Sequence, residues 1–342
     1  MDFTWQHEQQ HQHQHQQQQG QQQEAQQHQQ RRGRGHWQGQ RRGEGRRGEG
    51  RRGRAKELAD GTLRAIEEGA YTAPSGARVE IGEAVRRAIE RSEHVHFSED
   101  LAARLAALPP REPCEQHVEV TNESTLAAAA RLLREGASRV AVFNFASGKN
   151  PGGGFLGGSV AQEECIARSS ALYPTLIKHA GQRDKYYMIN EFKSNRGIYT
   201  SCCILSPDVP VFRSDSIEGE FLENPFVCTI ITVPAPNAGV LRRHTSATDP
   251  QATQAMNDAI SAAIRDRIER VLSLALLDGA DALVLGAFGC GVFRNDPREV
   301  AGVFQELLAS KFANRFSRVT FAILCRDEAT DRNIATFRLA FP

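Results

Sequence analysis

A chain of 342 residues, 40% hydrophobic and 24% charged, with a formal net charge of +1, can bury a sizeable core and is not, as a whole, a polyelectrolyte. That near-neutrality conceals an asymmetry, because residues 1–54 carry +5 and residues 55–342 sum to about −4. Seven cysteines without C-x-x-C spacing exclude a disulfide framework and a zinc site, and neither a membrane span nor the apolar core of a signal peptide is present, so a reduced protein of cytosol or nucleus with no membrane partner is expected.

Residues 1–30 are nearly all Gln and His, and residues 31–54 repeat Arg-Arg-Gly with occasional Glu. Neither stretch has the apolar surface that offsets the entropy of ordering, so 1–54 is expected to be a disordered tail. Its arginines form a cationic strand suited to weak binding of nucleic-acid phosphates. Its histidines (His7, His11, His13, His15) offer a transition metal no defined geometry.

Residues 55–115 are expected to form a helical accessory segment. Leu58, Leu63 and Ile66 recur at helical spacing before Gly69, Gly82 to Arg91 repeats the pattern, and Pro109-Pro110 closes it. From 116 to 342 strands and helices alternate. Strands are expected at 117–120, 139–145, 200–205, 226–233, 282–287 and 319–324, with helices after Ser124, from Val160 to His179, over 251–277 and after Asp296. This alternation predicts an α/β domain, a mixed sheet flanked by helices on both faces, whose ligands bind where loops leave the carboxyl ends of strands. The loops after Phe145 and after Ala287 are the places to search.

The first loop places five glycines within residues 152–158. Glycine permits positive φ and close approach of backbone N–H groups to an anion, so Gly152, Gly153 and Gly154 are candidate ligand contacts. A P-loop is excluded because Phe143 and Asn150 occupy positions where that motif requires Gly and Ser or Thr. Gly152, Gly154 and Gly157 satisfy G-x-G-x-x-G, but six residues separate them from the strand, whereas a dinucleotide-binding turn follows its strand at once. Gln162-Glu163-Glu164 comes next. Acids in a first helical turn complement the helix dipole, and Glu164 has the spacing of an ordinary ion pair with Arg168. Behind a glycine-rich anion loop the same carboxylates face whatever that loop holds. The second loop, Phe288 to Asn295, carries Gly289, Cys290, Gly291, Val292 and Phe293 and runs into a helix start at Asp296-Pro297, with Glu299 placed to close a capping box. Its backbone N–H groups are suited to phosphate, and a side chain at Gly291 is expected to take the place of a phosphate oxygen or to force the loop out of positive φ. Tyr186-Tyr187 and Cys202-Cys203 are expected in the core.

The run Gly152-Gly153-Gly154, seven residues, then Gln162-Glu163-Glu164 resembles the signature of poly(ADP-ribose) glycohydrolases. The flanks Asn144-Phe145-Ala146-Ser147 and Arg168-Ser169-Ser170-Ala171-Leu172-Tyr173, with Gly69-Ala70-Tyr71 and Ser75-Gly76, resemble the microbial branch. The resemblance spans roughly residues 55–340 and implies a macrodomain-like fold acting on poly(ADP-ribose), free or on ADP-ribosylated proteins, with no cofactor and no metal. By that resemblance Glu164 is the catalytic acid, Glu163 orients ribose hydroxyls, Gln162 holds the loop or a ribose oxygen, Asn144 contacts the distal ribose, Phe293 stacks on a sugar, and the second loop wraps the diphosphate. Two other functions compete: a macrodomain that reads ADP-ribose without cleaving it, and a nucleic-acid protein dominated by its tail. A reader has no need of an acid at Glu164.

Overall fold

A computed structural model describes residues 42–109, 111–181, 185–193, 197–216, 218–245 and 249–342. The Gln/His tract and the first arginines of the tail, including the tail histidines, lie outside the described residues. Residues 1–49 and 50–342 form two units, and the second is described here.

Nine strands are present among the described residues: β1 (Ala70–Thr72), β2 (Arg78–Glu80), β3 (Glu93–Val95), β4 (His117–Thr121), β5 (Val140–Ala146), β6 (Cys203–Arg213), β7 (Phe221–Pro234), β8 (Ala282–Leu285) and β9 (Arg318–Ala322). The helices are α1 (Arg42–Glu68), α2 (Gly82–Arg91), α3 (Leu101–Ala106), α4 (Thr125–Arg134), α5 (Gln162–Ser169), α6 (Leu172–Ile177), α7 (Tyr186–Lys193), α8 (Ala238–His244), α9 (Pro250–Leu277), α10 (Pro297–Ala309) and α11 (Arg332–Ala340). Seven strands form one sheet in the order β3-β6-β7-β5-β8-β9-β4, parallel from β7 to β4 and antiparallel at the β3-β6-β7 edge.

The twofold alternation of strand side chains feeds a core on each face. Val140 and Val142 of β5 and Val284 of β8 join α2 and α4 on one side, while Phe143, Leu283 and Leu285 join α9 and α10 on the other. The α/β class with helices on both faces is therefore as expected, and Tyr186, Tyr187, Cys202 and Cys203 are buried. Helix starts follow local chemistry. Asp249 accepts hydrogen bonds from the N–H groups of Gln251 and Ala252 ahead of Pro250, and Asp296 accepts from Arg298 N ahead of Pro297. Glu299 closes no capping box among the described residues; its carboxylate accepts from the Ser261 hydroxyl of α9. No helix among the described residues is long and apolar enough to cross a membrane.

Three expectations change. The chain between residues 55 and 115 is not helical throughout: β1 and β2 form a hairpin, and β3 pairs antiparallel with β6 at the edge of the main sheet. The hairpin is held by tertiary contacts, with the Tyr71 ring 4.7 Å from that of Phe221 and its hydroxyl donating to the Leu222 carbonyl. Secondly, α1 starts at Arg42, inside the Arg/Gly tract and upstream of the boundary expected at residue 54. Ala55, Leu58 and Ala59 are buried, which gives this helix the apolar seam that the tract itself lacks. Thirdly, the helix expected from Val160 to His179 is two helices. Ser170 is extended, bridges to Val211 of β6 and turns its hydroxyl to the Ile166 carbonyl, which pins the break to the sheet.

A third, small cluster joins α1 to the glycine loop: Phe155, fully buried, packs with Ala59, Ala167 and Tyr173, its ring 4.8 Å from that of Tyr173. Phe155→Ala is expected to cost about 3–5 kcal/mol in chemical denaturation, the range for a buried aromatic that leaves a cavity. A loss below about 1 kcal/mol would show that α1 and the loop are not coupled through this ring.

Candidate active site

The parallel strands all end on one edge of the sheet, and a cleft of about 680 Å³ lies there. Its walls come from the exits of five strands: Ser124 after β4, Ser147 after β5, Ala235 after β7, Ala287 after β8 and Ile323 after β9. The two glycine-bearing loops and the first turn of α5 complete it.

The first loop is wound so that its backbone meets the carboxylates. Gly152 and Gly153 have φ of +68° and +61°, a conformation that side chains disfavour. A Cβ on Gly153 would stand 3.0 Å from Glu163 Oε2 and nearer still to Glu164 Oε1, so only glycine leaves room for both acids. Gly154 N then donates to Glu164 Oε1 at 2.9 Å, while the buried Oε2 has no partner among the described residues. Glu164 makes its bond to the loop, not to Arg168, whose guanidinium donates to the Ser159 carbonyl and to Cys165 Sγ. The i, i+4 ion pair is therefore not what α5 uses.

Glu163, only 3% exposed, accepts from Ser147 N at 2.7 Å through Oε2. Burial pushes its carboxyl well above the usual carboxylate range, against the opposing pull of the Ser147 N–H, and neighbouring Glu164 pushes it further up. Asn144, also fully buried, sits behind Glu163, donates to Thr232 Oγ1 at 3.1 Å and keeps Oδ1 unpartnered. Gln162 is committed to the fold: its Oε1 accepts from Phe145 N at 2.8 Å, and its Nε2 donates to the Phe143 carbonyl at 2.7 Å and to Thr125 Oγ1 at 3.2 Å. One side chain thus fastens the start of α5 to β5 and α4.

In the second loop Gly289, Gly291, Val292 and Phe293 line the cleft. Gly289 has φ +69° and is crowded by Asn295 and by Ala235 Cβ, 2.6 Å from where its own Cβ would stand. Gly291 has no positive φ and nothing within 4 Å of an added Cβ. The conformational demand expected at Gly291 thus belongs to Gly289, and Gly291 is open to the cleft side. Val292 is 84% exposed, and Cys290 packs against the core, where burial pushes its thiol up to about 12.

Two cleft residues escaped the sequence. Tyr199 holds φ +57°, packs against Gly148 and stacks on Phe293 with ring centroids 6.3 Å apart and planes at 27°. Its backbone is gripped by the fully buried guanidinium of Arg267, which donates to the carbonyls of Ile198 and Tyr199. Asp215, also lining the cleft, accepts from Ser124 Oγ at 2.8 Å. No local motif marks either one, since both are placed by long-range contacts.

A family model of the catalytic domain of microbial-type poly(ADP-ribose) glycohydrolase matches residues 59–214. The crystal structure of poly(ADP-ribose) glycohydrolase from Thermomonospora curvata is 38% identical, with a TM-score of 0.73 over 84% of this chain and 99% of that one. The chain belongs to the microbial-type poly(ADP-ribose) glycohydrolase family. The inhibitor-bound form of the T. curvata enzyme, with ADP-HPD, is 37% identical over the same shares with a TM-score of 0.71. The Deinococcus radiodurans poly(ADP-ribose) glycohydrolase in complex with ADP-ribose is 38% identical, covering 75% of this chain and 96% of its own, with a TM-score of 0.65. A comparison with curated proteins finds no match.

In this glycohydrolase fold Glu163 links the site to stability. Its folded carboxyl keeps its proton to higher pH than the unfolded one, so its contribution is full below the unfolded value of about 4.3 and is lost as pH rises through the folded value. Glu163→Gln cannot ionise and should therefore gain melting temperature relative to the parent as pH rises above about 4.3, the range in which the parent loses that contribution. A difference that stays constant across this range would refute a buried, proton-retaining Glu163.

Proposed function

We propose that the chain hydrolyses the ribose–ribose O-glycosidic bonds of poly(ADP-ribose), free or attached to proteins, and releases ADP-ribose, with Glu164 as general acid and base. The observation that carries this is the state of Glu164: one carboxyl oxygen fixed by Gly154 N, the other buried at the cleft wall with no partner.

Cleavage requires a proton for the leaving ribose oxygen and a water for the anomeric carbon. Ordinary glycosidases divide these tasks between carboxylates on opposite faces of the sugar. Glu163 and Glu164 lie in one helical turn and both reach Gly153, so they meet the sugar from one side. Glu164 therefore serves twice. It gives its proton to the leaving oxygen as the C–O bond breaks, and the resulting carboxylate takes a proton from the water that adds to the oxocarbenium ion, which returns Glu164 to its starting state. Glu163 Oε1 accepts from a ribose hydroxyl, with Asn144 behind it. Gln162 positions both acids through its grip on β5 and does not touch substrate. The diphosphate lies against the backbone of Gly289 to Phe293, and Phe293 with Tyr199 forms an aromatic wall. Outside the cleft, the Arg/Gly tract is suited to polymers that carry phosphate, nucleic acid among them.

Glu164→Gln preserves shape and removes the proton donor. Release of ADP-ribose from polymer should fall by about 100- to 10,000-fold, the usual range for a positioned general acid, while calorimetric ADP-ribose binding persists. Near-parental turnover would sink the assignment. The two loop glycines should separate: Gly289→Val is expected to lower the melting temperature, because a side chain there meets Asn295 and Ala235. Gly291→Val, with open space around it, should leave the melt unchanged and weaken ADP-ribose binding. Unchanged affinity in a folded Gly291→Val chain would remove the diphosphate from this loop.

A further inference from the structure

The family match begins at residue 59, downstream of Arg51, Arg52 and Arg54. These arginines are exposed on the described part of α1, and no ion-pair partner for Arg51 or Arg52 exists among the described residues. Arg54 donates to the Glu218 carbonyl and lies 3.6 Å from Glu57. Arg64, also exposed, is nearly three turns further along. Between residues 51 and 64 five cations (Arg51, Arg52, Arg54, Lys56, Arg64) face two acids, Glu57 and Asp60. Arg213 lies buried beneath them, its guanidinium over the Phe221 ring, and is pushed down to about 10 by burial first and then by the charges of Arg54 and Arg64. Cations in excess of the carboxylates beside them favour an anionic partner.

The place of this surface matters as much as its charge. The Arg52 backbone packs on the glycine loop, with its Cα 3.2 Å from where a Cβ on Gly158 would stand. Gly158 belongs to the loop whose Gly153 and Gly154 hold the carboxylates, and Val160, 60% exposed, and Ala161 carry the cleft wall onward from it. A polymer that left the cleft over Val160 would meet the Arg52 segment of α1, which lies against Gly158.

We propose that Arg51, Arg52, Arg54 and Arg64 form a docking surface for the units of poly(ADP-ribose) that lie beyond the one being cleaved. This rests on the glycohydrolase reading. Each ADP-ribose unit brings a diphosphate, which arginine holds through its planar donor fork. The surface raises affinity for long polymer and leaves the chemistry at Glu164 untouched, so its signature is dependence on chain length.

The test compares a two-unit oligomer with long polymer in the full chain and in the R51Q/R52Q and R51K/R52K variants. The R51Q/R52Q variant should raise KM for long polymer with kcat unchanged and leave both constants for the oligomer as they were, while R51K/R52K, which keeps the charge and loses the planar fork, should give a polymer KM between those of the parent and R51Q/R52Q. Two phosphate contacts on a single strand weaken binding about sevenfold between 50 and 200 mM salt, and R51Q/R52Q should lose that part of the salt dependence. Retention of labelled long polymer by E164Q, with and without R51Q/R52Q, reads the surface even where hydrolysis is absent, so failure of the enzyme reading and failure of this one are separate results. Equal retention by the two, an oligomer KM that changes in parallel with the polymer KM, or tighter binding of single-stranded RNA than of polymer at equal phosphate concentration would each overturn the proposal.

Discussion

The site depends on one contact, the approach of the Gly153–Gly154 backbone to the carboxylates of Glu163 and Glu164. Positive φ at Gly152 and Gly153 turns the chain so that Gly154 N points at Glu164 Oε1, and the missing Cβ at Gly153 leaves room for both acids. Any side chain there would push two carboxylates off their positions at once. The helix that bears them is fixed independently by Gln162, whose amide spans β5 and α4. Loop and helix are thus tied to the same strand from two directions, which confines the one free oxygen of Glu164 to a narrow range of positions. Precision of this kind is what general acid catalysis requires, because proton transfer is effective only over hydrogen-bond distance.

The same arrangement divides the tasks of two adjacent acids. Glu163 is buried, bonded to Ser147 N, and held toward its protonated form by lack of water. Glu164 lines the cleft with an oxygen to spare. Identical side chains one residue apart, both at the cleft, thus differ in character because Glu163 Oε2 is tied to the β5 exit through Ser147 N and Glu164 Oε1 to the glycine loop through Gly154 N. The aromatic wall opposite is organised from further away still: Arg267, deep in α9, holds the backbone of Tyr199 in a conformation that a non-glycine residue rarely adopts, and Tyr199 in turn meets Phe293. A buried guanidinium with unsatisfied donors is costly, and it persists here where it positions a wall of the cleft.

The chain between residues 50 and 110 acts as more than a preface. α1 covers Phe155 of the glycine loop, Thr62 bonds the Arg168 carbonyl, and β3 closes one edge of the sheet. The helix α1 therefore has two faces, a buried one that supports the glycine loop and an exposed one that carries the arginines.

By itself the sequence determined what depends on neighbours along the chain. The apolar runs of β5, β8 and β9, the Asp-Pro helix starts at 249–250 and 296–297, and the glycine run ahead of Glu163 and Glu164 are all local, and each appears where expected. The motif also pointed to the family. Tertiary structure alone decided what depends on distant partners: β3 is a strand because β6 supplies its hydrogen bonds, and Ser170 breaks a helix because Val211 pairs with it. It also moved the crowded glycine from Gly291 to Gly289, turned Gln162 inward, and brought in Tyr199 and Asp215. Burial and crowding are properties of the space around a residue, and residues tens to hundreds of positions away fill that space.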